Sequence, residues 1–416
     1  MAHRRQITDL LKKYENKKIG RIIVLTGARQ VGKTTLAKDV YGDYHYLSIE
    51  DPTLRISLST LTAKQWEKIY PQAILDEVQK EPKFIESIKS AYDQFDHVKY
   101  VLTGSSQILL LKNVRESLAG RCLIFTMQPL TIPELLTKSI DDDIIPSIWQ
   151  QTLQDGFDPQ SILPNFRLDE NWVEKQKAWD FYTTFGAYPA LTDKTMDDKD
   201  RFAWLETYVK TYLERDVKDL VELRDLEPYQ KLQRALALQT GGLLNASSLA
   251  TEIGVSSKTV KNYLQYLHVS FQTITLQSWE RNKQKRLVKT PKIHCLDHGV
   301  LQAILNKRGL TGNEFESLVV SEIYKQVHNL GINASFYHLR THDGLEVDML
   351  IELPEGYYAF EIKMSEHIKL TDARHLRKLE EILDKPILHS FILSNDDTVH
   401  YFSEKITAMS AAMFLS

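Results

Sequence analysis

Gly27-Ala-Arg-Gln-Val-Gly32-Lys33-Thr34-Thr35 follows directly on the apolar run Arg21-Ile-Ile-Val-Leu-Thr26. The stretch meets the G-x-x-x-x-G-K-[ST] spacing where that spacing has physical meaning, at a turn from strand to helix. Glycines let successive backbone N–H groups turn inward around phosphate oxygens, a lysine neutralises the β/γ charge, and the next hydroxyl can ligate Mg²⁺. Gly27, Ala28, Arg29, Gln30, Val31, Gly32, Lys33, Thr34 and Thr35 are therefore assigned to a triphosphate. Lys33 takes part in the chemistry and Thr34 holds the metal. A helix is expected over residues 35–40.

Two further strand-like runs supply what a triphosphate site needs. Ala73-Ile-Leu-Asp76-Glu77 is an apolar run ending in two carboxylates, a Walker B signature. An acid at the C-terminal end of a strand beside the loop can hold the Mg²⁺ shell, which is the role for Asp76. Glu77 can then orient and deprotonate the attacking water. Lys99-Tyr-Val-Leu-Thr103-Gly-Ser105-Ser106 ends in hydroxyls placed to sense the γ-phosphate or the water, and Ser105 joins the nucleotide set. Each element sits in the strand–turn–helix context that the mechanism requires.

The length of 416 residues suggests two to four domains. With 43% hydrophobic and 26% charged residues the composition is that of a globular protein. Its 52 basic and 55 acidic residues leave a net charge of -3, so any nucleic-acid contact must come from a local patch. Cys122 and Cys295 have no metal-ligand companions and fit a reducing, cytoplasmic setting. The N-terminus reads as a short amphipathic helix, and no apolar run reaches membrane-spanning length, so neither export signal nor anchor is expected.

Residues 19–128 alternate strand-like and helical patterns, the mark of a parallel α/β sheet. Beyond Pro129 helix-period segments take over, interrupted by an acidic, proline-bearing stretch from Asp141 to Pro164 that reads as an insertion loop. Aromatic-rich helical patterning resumes over 171–226. Ser248 to Leu264 then fits a helix-turn-helix: Ala250 at the crossing, Gly254 in the turn, and Leu249, Ile253, Val255, Val260 and Tyr263 inside. Its second helix would expose Ser257, Lys258, Lys261 and Asn262 to phosphates and base edges. The basic run Arg281, Lys283, Lys285, Arg286, Lys289 and Lys292 suits a wing, so Lys258, Lys261, Asn262 and Arg286 are the candidate DNA contacts. The alternative is a module that only packs domains together, its charges a solvated face.

Near the C-terminus, Leu345-Glu-Val-Asp348-Met-Leu-Ile-Glu-Leu and Tyr357-Tyr-Ala-Phe-Glu361-Ile-Lys363-Met flank a turn at Pro354-Glu-Gly. With Glu355-Gly356 as the loop, Val347, Met349 and Ile351 would face Met364, Ile362 and Phe360. Asp348 would then oppose Lys363, with Glu361 as its diagonal neighbour. Asp followed by Glu-x-Lys is a pattern used by metal-dependent phosphodiesterases, in which the acids hold Mg²⁺ and the lysine positions water. Glu316, at helical spacing among Val319, Val320 and Ile323, could reach in as a further acid. The competing reading is a cross-strand Asp–Lys ion pair on a sheet face.

The ordered set of these motifs resembles a family of bacterial and archaeal AAA-type ATPases carrying a winged helix and a restriction-endonuclease-like C-terminal domain. Also carrying the resemblance are Ser117-Leu-Ala-Gly-Arg121, Tyr212-Leu-Glu-Arg215-Asp216, Gln239-Thr-Gly-Gly-Leu-Leu-Asn245, Pro291-Lys292 and Phe315-Glu316. The implied fold class is α/β: a P-loop parallel-sheet core (1–130), a helical lid or linker (131–226), a winged helix-turn-helix (227–300) and a PD-(D/E)xK-like domain (301–416). The resemblance implies binding and hydrolysis of ATP with Mg²⁺, and Arg121 as an arginine-finger-like or nucleotide-sensing residue. It also implies DNA as partner, and a second Mg²⁺ or Mn²⁺ at Glu316, Asp348, Glu361 and Lys363. Whether the C-terminal domain cuts DNA or only recognises it stays open, as does assembly into a homo-oligomer.

Overall fold

A computed structural model describes residues 3–15, 17–81, 83–104, 117–159, 171–213, 226–286 and 289–416. Two sheets organise it. The first comprises β1 (Ile22–Gly27), β2 (His45–Ser48), β3 (Gln72–Asp76), β4 (Lys99–Thr103) and β5 (Leu123–Met127), in the order β2-β3-β4-β1-β5. Every pairing in it is parallel, as the alternating strand and helix patterns require. Because β1 is covered on both faces, its apolar run splits by parity. Ile23 and Leu25 pack with Leu36 of the loop helix Lys33–Val40 and with Tyr188 and Leu205. Ile22 and Val24 pack with Trp66, Phe84 and Ile88 on the opposite face.

The second sheet has nine strands: β6 (Gly242–Leu243), β7 (Thr273–Ser278), β8 (Lys292–Cys295), β9 (Ser335–Arg340), β10 (Glu346–Glu352), β11 (Tyr357–Ile362), β12 (Ile387–Ser394), β13 (His400–Ser403) and β14 (Ile406–Ser410). Their order is β13-β14-β12-β11-β10-β9-β7-β8-β6. The strands expected to form a wing therefore share one sheet with the C-terminal unit, joined by the short parallel pairing Gln277↔Tyr337 and Ser278↔His338. Helices Glu227–Leu238, Ala246–Ile253 and Ser257–Val269 lie beside β6 to β8. Gly254 at φ 74 makes the turn between the last two, and Leu249, Ile253, Val260 and Tyr263 form the interior read from the sequence. Helix His298–Leu305 packs against Trp172–Phe185, Asp198–Tyr208 and Glu227–Leu238, so the expected boundary at 300/301 falls inside a helix tied to the preceding segments.

Two more expectations are corrected here. The stretch read as an insertion loop holds helix Ile148–Asp155, whose Trp149 is fully buried edge-on against Tyr358 and Phe360. A capping box, with the Ser147 side chain on the Gln150 N–H and Gln150 reaching back, starts that helix. The hairpin register is displaced by two residues: Met349 pairs with Phe360 and Ile351 with Tyr358, because the turn falls on Pro354-Glu355, one position earlier than expected, and is closed by Leu353 N–H to Gly356 O at 2.9 Å. Continued one step, that register sets Asp348 across from Glu361 and not from Lys363.

A β-bulge in β10 between Val347 and Leu350 inserts one extra residue against β9. Val347 therefore joins one core and Met349 the other, where strict alternation had put both on one face.

A band of buried charge ties the first sheet to the second. Arg5 donates to Val31 O at 3.2 Å and to Gln128 O at 2.5 Å, and pairs with buried Glu134. Glu134 also accepts from Asn329 at 3.3 Å, at the end of the long helix Gly312–Asn329. On the same helix Lys325 and Glu322 form a fully buried pair at 2.9 Å; Lys325 donates to Leu130 O and Glu322 accepts from Ile132 N–H. Unpaired charges at these depths would be prohibitive, and each here has a partner.

Candidate functional site

The turn after β1 adopts the geometry its glycines allow. Gly27 has φ 146 and Gly32 φ 94, both in the region closed to most side chains, and a Cβ at Gly27 would run into the Met127 carbonyl. Gly32 caps the helix Lys33–Val40. The Lys33 ammonium is folded back onto its own loop, donating to Gly27 O at 3.0 Å and Ala28 O at 2.7 Å.

Parallel pairing places β4 between β1 and β3, so the ends of all three strands converge. At that point Asp76 accepts three hydroxyl hydrogen bonds: from Thr34 at 2.9 Å, from Tyr46 at 2.8 Å, and a short one from Thr103. Tyr46, the second residue of β2, was not anticipated. Burial and the Asp76 contact push its phenol up to about 12, so it remains a donor at neutral pH. Glu77, at φ 58, turns off the strand and accepts a short hydrogen bond from the Gln79 amide.

Glu77, Lys33, Thr34 and Arg29 line a cavity of 550 Å³ together with Pro189 and Asp193. A second cavity of 340 Å³, with Arg5, Val31, Leu36, Met127 and Ile140 on its walls, lies on the other flank of the same helix and shares Gly32, Thr35 and Pro189 with the first. Neither the 189–196 segment nor Arg5 could be singled out from spacing, since both reach the site only through packing. Ser105 lies outside the described residues. Arg121 precedes β5, whose Met127 end lies beside Gly27, and so sits about 20 Å down the strand from the loop of its own chain. There it forms a two-pronged pair with Asp93, at 2.8 and 3.1 Å, and is turned away from the phosphate site of its own chain.

Lys258, Lys261 and Asn262 are exposed on helix Ser257–Val269. Arg286 is corrected as a DNA contact, for its guanidinium is buried, donating to Glu280 O at 2.6 Å, Tyr337 at 3.1 Å and Glu352 at 3.0 Å. The basic run is thus split, part of it turned inward.

Lys292 is the larger surprise. Its ammonium stands 3.0 Å from Glu316, 3.2 Å from Asp348 and 3.5 Å from Glu346, with only 6% of the side chain exposed. Glu361 pairs with Lys363 at 3.1 Å beside this group, and Asp348 also accepts from Ile362 N–H at 2.9 Å. Burial and then Asp348 push Glu316 up to about 8 and Glu361 up to about 7. Lys292 is held protonated, burial being outweighed by Asp348 and Glu316. Glu316, Asp348 and Glu361 do gather, but around a lysine; among the described residues no set of three or more His, Cys, Asp or Glu could hold a metal ion.

His294, two residues along β8, is fully buried, and neither ring nitrogen has a hydrogen-bonding partner among the described residues. Burial first, then the Lys292 charge, lower its pKa to about 3. The unfolded imidazole takes up a proton below about pH 6.5, the folded one does not. This residue's contribution to stability is therefore complete above pH 6.5 and lost progressively as pH falls toward 3. His294→Leu is expected to flatten the acid side of the melting-temperature profile between about pH 6.5 and 4. Parallel wild-type and variant profiles would contradict this.

Residues 20–136 match the family model of an AAA domain. Residues 176–311 and 311–414 match two domains of unknown function, DUF8612 and DUF4143. The match to an AAA domain thus spans the first sheet. An uncharacterized protein of Mycobacterium tuberculosis (strain ATCC 25618 / H37Rv) is 26% identical over 366 residues, covering 82% of this chain and 70% of its own. An uncharacterized protein of Methanocaldococcus jannaschii is 26% identical over 369 residues, covering 79% and 74%. Among solved structures, the Walker-type ATPase of Pyrococcus abyssi aligns with TM-score 0.44 at 14% identity, over 72% of this chain and 94% of that one. No helix among the described residues is long and apolar enough to cross a membrane.

Proposed function

We propose that this chain binds ATP with Mg²⁺ and hydrolyses it, and that the nucleotide state governs a DNA-contacting winged helix at residues 227–300. The observation that carries the first part is the convergence on Asp76 of Thr34, Tyr46 and Thr103 beside the cavity lined by Lys33 and Glu77. Thr34 and Asp76 are the hard oxygen donors that would hold Mg²⁺, which when bound neutralises charge on the phosphates. The Lys33 ammonium, now spent on two carbonyls of its own loop, is free to exchange them for phosphate oxygens. With Asp76 committed to three hydroxyls, the base that takes the water proton is Glu77. The polar-lined 550 Å³ cavity suits the phosphates, and the more apolar 340 Å³ cavity beside it suits the base.

Helix, short strand, two helices and a hairpin, in that order, support the winged-helix reading, with Lys258, Lys261 and Asn262 on the open face. No cutting is proposed for the C-terminal unit, because Lys292 stands among the acids that a metal-dependent nuclease needs. A double Lys258→Glu, Lys261→Glu variant should weaken duplex binding for all sequences. It should also lower the slope of log affinity against log salt by about 2, each lost phosphate contact counting for about 0.9. An unchanged slope, or wild-type binding that is indifferent to ATP, would sink the DNA half of the proposal and leave the ATPase half standing.

A further inference from the structure

We infer that Lys292 is a built-in cation for the acidic centre of the C-terminal unit, so that docking of β8 and binding of a divalent metal there exclude one another. The three carboxylates around its nitrogen come from two elements, Glu316 from the long helix and Glu346 and Asp348 from the bulged strand β10, and all lie at 3.0 to 3.5 Å. Those are the separations of an ammonium. A divalent ion needs its oxygens at about 2.0–2.6 Å and would have to occupy the same volume as the nitrogen. The lysine is too buried to swing aside within the fold, so vacating the centre means removing the strand that carries it.

The lysine and the acids belong to different units. Lys292 lies inside the 176–311 match, whereas Glu316, Glu346, Asp348, Glu361 and Lys363 lie inside the 311–414 match. The contact is therefore a lock between modules: the first supplies the positive charge that three acids of the second require. It reinforces the brief two-residue pairing of β7 with β9. Three carboxylates facing one ammonium remain short of positive charge, and burial first, then the Asp348 charge, raise the pKa of Glu316. Without Lys292, Glu316, Glu346 and Asp348 would have to draw in from these ammonium separations to about 2.0–2.6 Å to hold a hard divalent cation.

The test uses full-length, nucleotide-free protein titrated with Mn²⁺, free ion being followed by electron paramagnetic resonance. Wild type is expected to show no bound Mn²⁺ that Asp348→Asn removes. Lys292→Met should gain one equivalent, at least tenfold tighter than any wild-type binding, and the gain should vanish in Lys292→Met with Asp348→Asn. Wild-type binding that depends on Asp348 would overturn the inference, as would a folded Lys292→Met protein that gains nothing. Should Lys292→Met fail to fold, wild type against Asp348→Asn decides alone. ATP affinity measured on the same preparations reports separately on the nucleotide site, so the two readings fail independently.

Discussion

Replacing Glu77 by glutamine is expected to leave ATP bound while slowing its turnover about 10²–10⁴-fold, the usual contribution of a positioned base. The two adjacent acids of β3 are not equivalent in the fold. Asp76 continues the strand and is saturated by hydroxyls from three other elements, so its substitution would disturb the seat of Thr34 as well as the metal. Glu77 leaves the strand at φ 58 and reaches the cavity wall, where the Gln79 amide donates to it. Glutamine keeps that size and contact but cannot take a proton. Lys33→Ala should differ in kind, losing affinity together with turnover, because the charge that meets the phosphates is gone. Radiolabelled ATP hydrolysis under single-turnover conditions, with calorimetric binding alongside, separates the two. Wild-type turnover in Glu77→Gln would refute the role given to it.

Lys325→Met is expected to cost about 3–5 kcal/mol of stability, since it strands the Glu322 carboxylate where neither residue has any solvent exposure. Glu322 would keep its hydrogen bonds from Ile132 N–H and Gln326 but lose its counter-charge, and Leu130 O would lose its donor. Neutralising both ends, as Glu322→Gln with Lys325→Met, should recover more than half of the loss, because an amide still accepts from Ile132. Denaturant melts followed by tryptophan fluorescence read the effect through Trp149 and Trp179 in the same core. A loss below about 1 kcal/mol would mean that the pair is not desolvated as described.

The nucleotide loop and its carboxylates were legible in the sequence because their chemistry is local: a spacing, a strand before it, a helix after it. What stayed hidden is what depends on the path of other segments. Tyr46 reaches Asp76 only because β2 lies beside β3. The hairpin register failed by two residues because the two-residue turn falls one position earlier, on Pro354-Glu355, and nothing in Pro354-Glu-Gly distinguishes the two placements. The bulge that separates Val347 from Met349 leaves no trace in composition. Lys292 did leave one, for it opens the short strand Lys292–Cys295, which is buried over its first three residues, where a charge demands acids nearby. Grouped with neighbouring lysines and arginines, it passed for part of a wet basic surface. Ser147 and Gln150 were likewise legible as a helix start inside a stretch whose acidity suggested a loop.

The pairing of β7 with β9 also bears on how the polypeptide tolerates division. A fragment ending near residue 311 would carry the β7 flank uncovered, and one beginning there would expose β9, each a row of unmatched N–H and C=O groups. Either half in isolation is primed to recruit a strand from another molecule and precipitate, even though sequence similarity marks that point as a natural seam.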